Sequence, residues 1–323
     1  MLELSNYLHN AALLLVALSL VANILVVATR ARRAAAGSTE HELVVAGRAD
    51  RELAGVGPGR GGRGGAAAGA SAVARDGILA SAVPGTPRHG VGWFADRLAE
   101  LALLALTGAL VLRMLVTGHA PFANQYEFAT AFVWAVLGSY VYFEWRYRIR
   151  GLALLVLPIA LTMLLYSSSL ERAADPLIPA LQNSLLLTLH VLTAVIGYGA
   201  AAISFAAAVL FLVRDHIRIP GVPSGEVLEE VGYRAVVLTF PMLTMMLILG
   251  ALWADIAWGR YWSWDPKETA ALVTWLIYGA YLHARVMAGW RGNRAAWLLV
   301  LGFAAVVFTF LGNHWFGGLH SYA

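Results

Sequence analysis

Two sets of residues in this chain are equipped for chemistry that aliphatic side chains cannot do: a cluster of tryptophans and a few histidines. The stretch WADIAWGRYWSWD, residues 253–265, holds Trp253, Trp258, Trp262 and Trp264, with Tyr261 among them. One or two tryptophans at the end of a membrane span need no further explanation, because Trp and Tyr collect at both membrane interfaces. Four so close together exceed that need, and their spacing follows neither a strand nor a helix period. Indoles offer large apolar area with few rotamers and stack on extended π-systems. The expectation is therefore a flat aromatic platform for a hydrophobic macrocycle such as a porphyrin. Asp265 and Pro266 then open the run DPKET, where aspartate suits an N-cap and proline the first helical turn. A role for Asp265 in the chemistry stands beside that capping role.

Cysteine is absent, which excludes disulfides, thiolate metal sites, thiol redox relays and covalent haem attachment through a CxxCH of the chain's own. A metal or haem must then be held by histidine or softer contacts. Of nine histidines, only His190 and His283 lie well inside apolar runs, where an ionisable side chain is costly and marks function by default. His190 is followed by Ala194, Gly197 and Ala201, and Gly279 and Ala280 stand one turn before His283. Such small faces serve close helix packing, and they also leave clearance for a flat ligand beside an imidazole, a standard haem-iron ligand. His119, in GHAPFANQYEF, and His314 and His320, near the C-terminus, are three candidates to pair with His190. Residue types alone do not choose among them. Ser-His-Asp hydrolysis finds no support, since no nucleophile elbow is present.

These residues are carried by a strongly apolar chain. Of its 323 residues 59% are hydrophobic and 13% charged, with a mean hydropathy of +0.68, beyond the range of soluble globular domains. The fold class expected is an all-α integral membrane protein with about eight transmembrane helices. Eight apolar runs approach the ~20 residues that a bilayer requires: residues 8–29, 94–116, 126–144, 151–167, 182–213, 234–254, 268–289 and 294–312. The N-terminus lacks the basic region and cleavage site of a secretory signal, so the first run is expected to persist as a span.

Arginine placement orients the spans, because positive residues are retained inside. Arginines crowd residues 30–97 and recur at Arg146, Arg148, Arg150, Arg214, Arg218, Arg285, Arg291 and Arg294. The opposite loops hold only Arg172, Arg260 and Lys267. Both termini and the tryptophan loop are thus expected on the extracytoplasmic face. The net charge of +4 needs no nucleic-acid partner, because topology accounts for it. Residues 30–92 are expected to be a disordered, Gly/Ala/Arg-rich cytoplasmic segment: eight of the sixteen residues 54–69 are glycine, too little apolar surface to offset ordering entropy. PGRGGRGG lacks the GK[ST] of a phosphate loop.

The stretch WGRYWSWDPKETAALVTWLIYGAYLHAR, with LHVLTAVIGYGA upstream and GLHSYA at the end, resembles the CcsA/ResC family of system II cytochrome c biogenesis, a branch of the WWD-domain haem-handling proteins. GHAPFANQYEF is similar to that family's GHxPxSNxYES region, with Ala123 and Gln125 at variable positions. The likeness covers residues 94–323 and implies that residues 93–323 form a WWD-type cytochrome c assembly domain. The resemblance implies a haem channel and holocytochrome c synthase in a bacterial plasma membrane. It would carry haem b outward and attach it to the CxxCH motif of apocytochrome c, together with a ResB/Ccs-type membrane partner subunit. It makes His190 and His320 the outer axial ligands flanking the tryptophan loop, and His283 an intramembrane ligand on the inward side. The partner's intramembrane histidine has no match here, which implies dependence on that partner. Arg260 or Lys267 is a candidate to meet haem propionates, with a plain interfacial charge as an equal alternative for each. Two other readings compete: a haem exporter without ligase activity, and a b-type electron carrier. The second expects histidines at matched depth, and His190 and His283 lie at opposite ends of their spans.

Overall fold

A computed structural model describes residues 1–52, 90–173, 184–217, 222–312 and 316–320. Among these residues the regular structure is helical: α1 (Leu2–Glu52), α2 (Val91–Thr117), α3 (Gln125–Tyr147), α4 (Ala153–Ser168, entered through a 3-10 turn at Arg150–Leu152), α5 (Ser184–Val213), α6 (Gly225–Trp258), α7 (Pro266–Val286) and α8 (Asn293–Leu311). Each expected apolar run coincides with one helix. Six of the helices are long and apolar enough to cross a membrane. The other two, α3 and α7, are of spanning length, 23 and 21 residues, but carry more charge: Glu127, Glu144 and Arg146 on the first, Lys267, Glu268 and Arg285 on the second.

One boundary departs from the expectation. Helix α1 runs on to Glu52, so residues 30–52 have helical backbone rather than the disorder expected from residue 30. Their Ala, Arg and Glu content favours a helix despite Gly37 and Gly47, and the dense glycine run begins only at Gly55. Residues 53–89, which hold the glycine-rich stretch, lie outside the described residues.

Helix α5 is the centre of the bundle, packing most extensively on α6 and also on α3 and α8. Its small face is spent on that packing: Ala194 and Ala201 are buried in the core, and Gly197 faces Leu243 and Met242 of α6. Helices α1 and α2 pair at the edge of the bundle, with α4 joining α1 to α3. Buried polar groups at this edge are matched. Arg113 and Glu127, both 1% exposed, form an ion pair of 2.5 Å. Arg113 also donates to the carbonyls of Arg172 and Ala173, and Glu127 accepts from the Ala123 N–H. The pair therefore fixes the 119–124 loop against the chain after α4. His9, fully buried, lies within hydrogen-bond reach of the Ser167 and Ser168 hydroxyls, which makes it a satisfied core histidine.

Candidate functional site

The tryptophan loop is shaped by its junction with α7. Helix α6 ends at Gly259, in the left-handed region at φ 71°. Trp264 adopts φ 58°, a conformation rare for a bulky residue, and the chain then turns into Asp265. The Asp265 carboxylate accepts the Lys267 N–H at 2.9 Å, and Glu268 reaches back to the Asp265 N–H at 3.3 Å. The expected helix cap is thus formed, as a complete capping box with Pro266 in the first turn.

The same carboxylate gathers the C-terminal tail. Its Oδ2 accepts the Leu319 N–H at 2.6 Å, and its Oδ1 accepts from Nδ1 of His320 at 2.9 Å. Gly318 is required here, because a Cβ at that position would overlap the carboxylate. Burial pushes the Asp265 pKa up, but the hydrogen bonds from His320 and from the Lys267 and Leu319 N–H groups outweigh it and hold the group at about 2. Asp265 is therefore ionised, which makes Nδ1–H the donor and puts the basic lone pair of His320 on Nε2.

His190 acquires the same tautomer by a different route. Its Nδ1 lies 2.9 Å from the Met246 carbonyl of α6, an oxygen that only accepts, so Nδ1 carries the proton here too. The approach depends on Gly250, where a Cβ would stand 2.7 Å from Cε1 of the imidazole. Both imidazoles thus have a fixed Nδ1 and a ligand-competent Nε2, the arrangement that orients histidine in metal sites.

The two histidines line one cavity between α3, α5, α6 and the start of α7. Its walls are mostly apolar, from Ala194 and Tyr198 of α5, Leu247 and Ala251 of α6, and Phe122 and Phe128 beside α3. Trp253, buried in the last turns of α6, contacts both imidazoles, with ring centroids 6.2 Å from His190 and 5.9 Å from His320. Trp258 packs edge-on against both Trp253 and His320, at 4.8 Å each. Two oriented imidazoles beside an aromatic wall are the chemistry that suits a flat iron macrocycle.

The four indoles do not form one flat platform. Trp253 and Trp258 cross at 68°, and Trp262 and Trp264 at 88°. Trp253 and Trp262 line the cavity, Trp258 braces His320, and Trp264, 69% exposed, stands outside. Two of these tryptophans belong to α6 itself, so helix geometry turns their rings apart. Of the basic residues, Lys267 lines the cavity and Arg260 does not. His119 is also away from the lining, bonded to the Ala120 carbonyl, and His314 lies outside the described residues. His283 is exposed on α7 and does not line this cavity. Asn124 and Gln125 are cavity residues that the sequence reading did not single out. The GHAPFANQYEF stretch was the signal that held them.

Helices with an apolar exterior around an imidazole-lined chamber define a polytopic membrane protein with a histidine site at one end of its bundle. The family profile described as cytochrome C assembly protein matches residues 122–320, the span that carries every described element of that chamber. The chain is 36% identical over 251 residues to the cytochrome c biogenesis protein CcsA of Guillardia theta, covering 69% of this chain and 83% of that one. It is 34% identical to those of Gloeobacter violaceus and Parasynechococcus marenigrum, with 84% and 89% of those chains covered. The chain belongs to the cytochrome c assembly family, whose task is cytochrome c biogenesis.

Proposed function

We propose that this protein moves haem b across the plasma membrane and attaches it covalently to the CxxCH motif of apocytochrome c on the extracytoplasmic face. The observation that carries this reading is the pair His190 and His320, with Nδ1 of each already hydrogen-bonded and both rings on one chamber. In this reading their two Nε2 atoms are the axial ligands of the haem iron. The arginine bias of the loops supports the outward placement of that chamber and of both termini. Thioether formation adds each cysteine S–H across a haem vinyl C=C, with the proton ending on the neighbouring carbon. Such a step depends on alignment of thiol and vinyl more than on an acid or base from the enzyme. Asp265 then acts as a positioning residue, holding His320 and the tail while capping α7. Trp253, Trp258 and Trp262 confine the macrocycle, and the outward position of Trp264 suits contact with the incoming apocytochrome.

His283 is the intramembrane ligand in this scheme. Its exposure on α7 favours a ligand set completed by a ResB/Ccs-type partner subunit rather than by this chain. Residues 1–29 form the first span and 93–323 the assembly domain, with 30–92 as a cytoplasmic connection. The test is co-expression of the protein and its partner with a CxxCH reporter in a host lacking its own maturation system. Covalent haem on the reporter, lost in His190→Ala and His320→Ala, supports the synthase. Haem delivered without attachment supports the exporter, and no haem-dependent effect contradicts both.

A further inference from the structure

Among the described residues two nitrogen donors on the chamber wall have no hydrogen-bond acceptor, and axial ligation leaves them without a task. Lys267, the only lysine in the chain, lies in the first turn of α7 and lines the cavity. Among the described residues no carboxylate oxygen stands within 4.0 Å of its Nζ. The ammonium instead lies 5.4 Å from the ring centroid of Phe128. Gln125, in the first turn of α3, lines the same cavity, and its Nε2 is buried with no hydrogen-bond partner. Gln125 and Phe128 are three residues apart and share one helix face. The amide and the ammonium thus reach the same cavity from the first turns of two different helices.

The nearby acids are committed elsewhere. Glu268 accepts from the Ser263 N–H and hydroxyl at 2.8 and 3.1 Å and from the Asp265 N–H at 3.3 Å. Asp265 is taken by Lys267 N–H, Leu319 N–H and His320. The charge of Asp265 acts on the Lys267 ammonium through space, but its oxygens are taken, and the N-terminus of α7 adds positive potential beside it. An ammonium in a largely apolar wall gains from a further anionic acceptor.

We propose that Lys267 and Gln125 form the subsite for the carboxylates of the tetrapyrrole, a claim that rests on the haem reading above and deepens it. Lys267 pairs with one propionate in a charge-assisted bond, and the Gln125 amide donates to the same or the neighbouring one. The subsite gives the chamber a preference for porphyrins with free carboxylates. It also sets the rotation of the ring in its own plane: the propionate edge lies at the α3–α7 corner, and the vinyl edge points away from it. A macrocycle held by iron ligands alone would be free to turn about the axis between the two imidazoles.

The experiment titrates the purified full-length protein in detergent with haem and with haem dimethyl ester, following the Soret band. Wild type is expected to bind haem about tenfold more tightly than the ester. Lys267→Gln is expected to lose about tenfold for haem and less than twofold for the ester, Lys267→Arg to stay near wild type, and Gln125→Ala to lose about threefold for haem alone. Equal affinity of wild type for haem and ester, or equal weakening of both by Lys267→Gln, overturns the subsite and leaves the haem reading standing. If removing both His190 and His320 changes neither titration, the haem reading falls and the subsite falls with it.

Discussion

His190 and His320 at one end of the bundle and His283 toward the other are the same side chain in two different settings. The first two face a shared chamber, and each has its Nδ1 tied to an acceptor, the Met246 carbonyl or the Asp265 carboxylate. His283 is exposed on the surface of α7 and lines no part of that chamber. An imidazole becomes a reliable ligand when its second nitrogen is held and its surroundings exclude water. By that measure the His190–His320 end is prepared within this chain, and the His283 end is not. In the proposed function this contrast corresponds to positioned chemistry at the tryptophan-loop end and hand-over at the other.

The largest way to break this contrast after the histidines themselves is Asp265→Ala. It removes the α7 cap, at about 0.5–2 kcal/mol, and the anchors of both Leu319 and His320. Haem affinity is expected to fall roughly 10–100-fold, the usual cost of losing a residue that orients a ligand histidine, as read by Soret titration. Asp265→Asn, which can still accept a hydrogen bond, is expected to fall between that variant and wild type. Gly250→Ala attacks the other imidazole, because the added Cβ meets His190 and displaces its ring from Met246. About tenfold weaker haem binding is expected, with partial recovery of the low-spin spectrum on adding free imidazole; a loss through misfolding would show no such recovery. The smallest effects divide the tryptophans. Trp258→Ala is expected to cost several-fold by releasing the edge contact on His320, whereas Trp264→Ala is expected to leave haem binding unchanged within twofold. Equal effects from the two would contradict the placement of Trp258 against His320 and of Trp264 away from it.

The membrane helices were legible because apolar run length answers directly to bilayer thickness, and each run found its helix. The Asp265 cap was legible for the same local reason: DPKET states the cap, the first-turn proline and the reciprocal glutamate in adjacent positions. The second task of Asp265 was not, since Leu319 and His320 lie 54 and 55 residues away and meet it only through folding. The platform expectation went wrong over geometry. Counting indoles reveals their number, but ring planes follow from backbone direction, and Trp253 and Trp258 leave α6 on different sides. Gln125 was passed over because a lone glutamine at a helix start states no chemistry by itself, and only the packed structure shows its amide nitrogen unpartnered on the chamber wall. The helical course of residues 30–52 was hidden by reading them together with the glycines that follow.

The central claim is that His190 and His320 bind one haem between them while His283 does not share that site. It is tested most directly by the absorption and electron paramagnetic resonance spectra of the haem-loaded protein in its His190→Ala, His320→Ala and His283→Ala forms. The account expects a low-spin, bis-imidazole signature in wild type and in His283→Ala at the tryptophan-loop site, and conversion to a high-spin or haem-free form in either of the other two. A low-spin signature that survives loss of both His190 and His320, or that disappears with His283 alone, would contradict it.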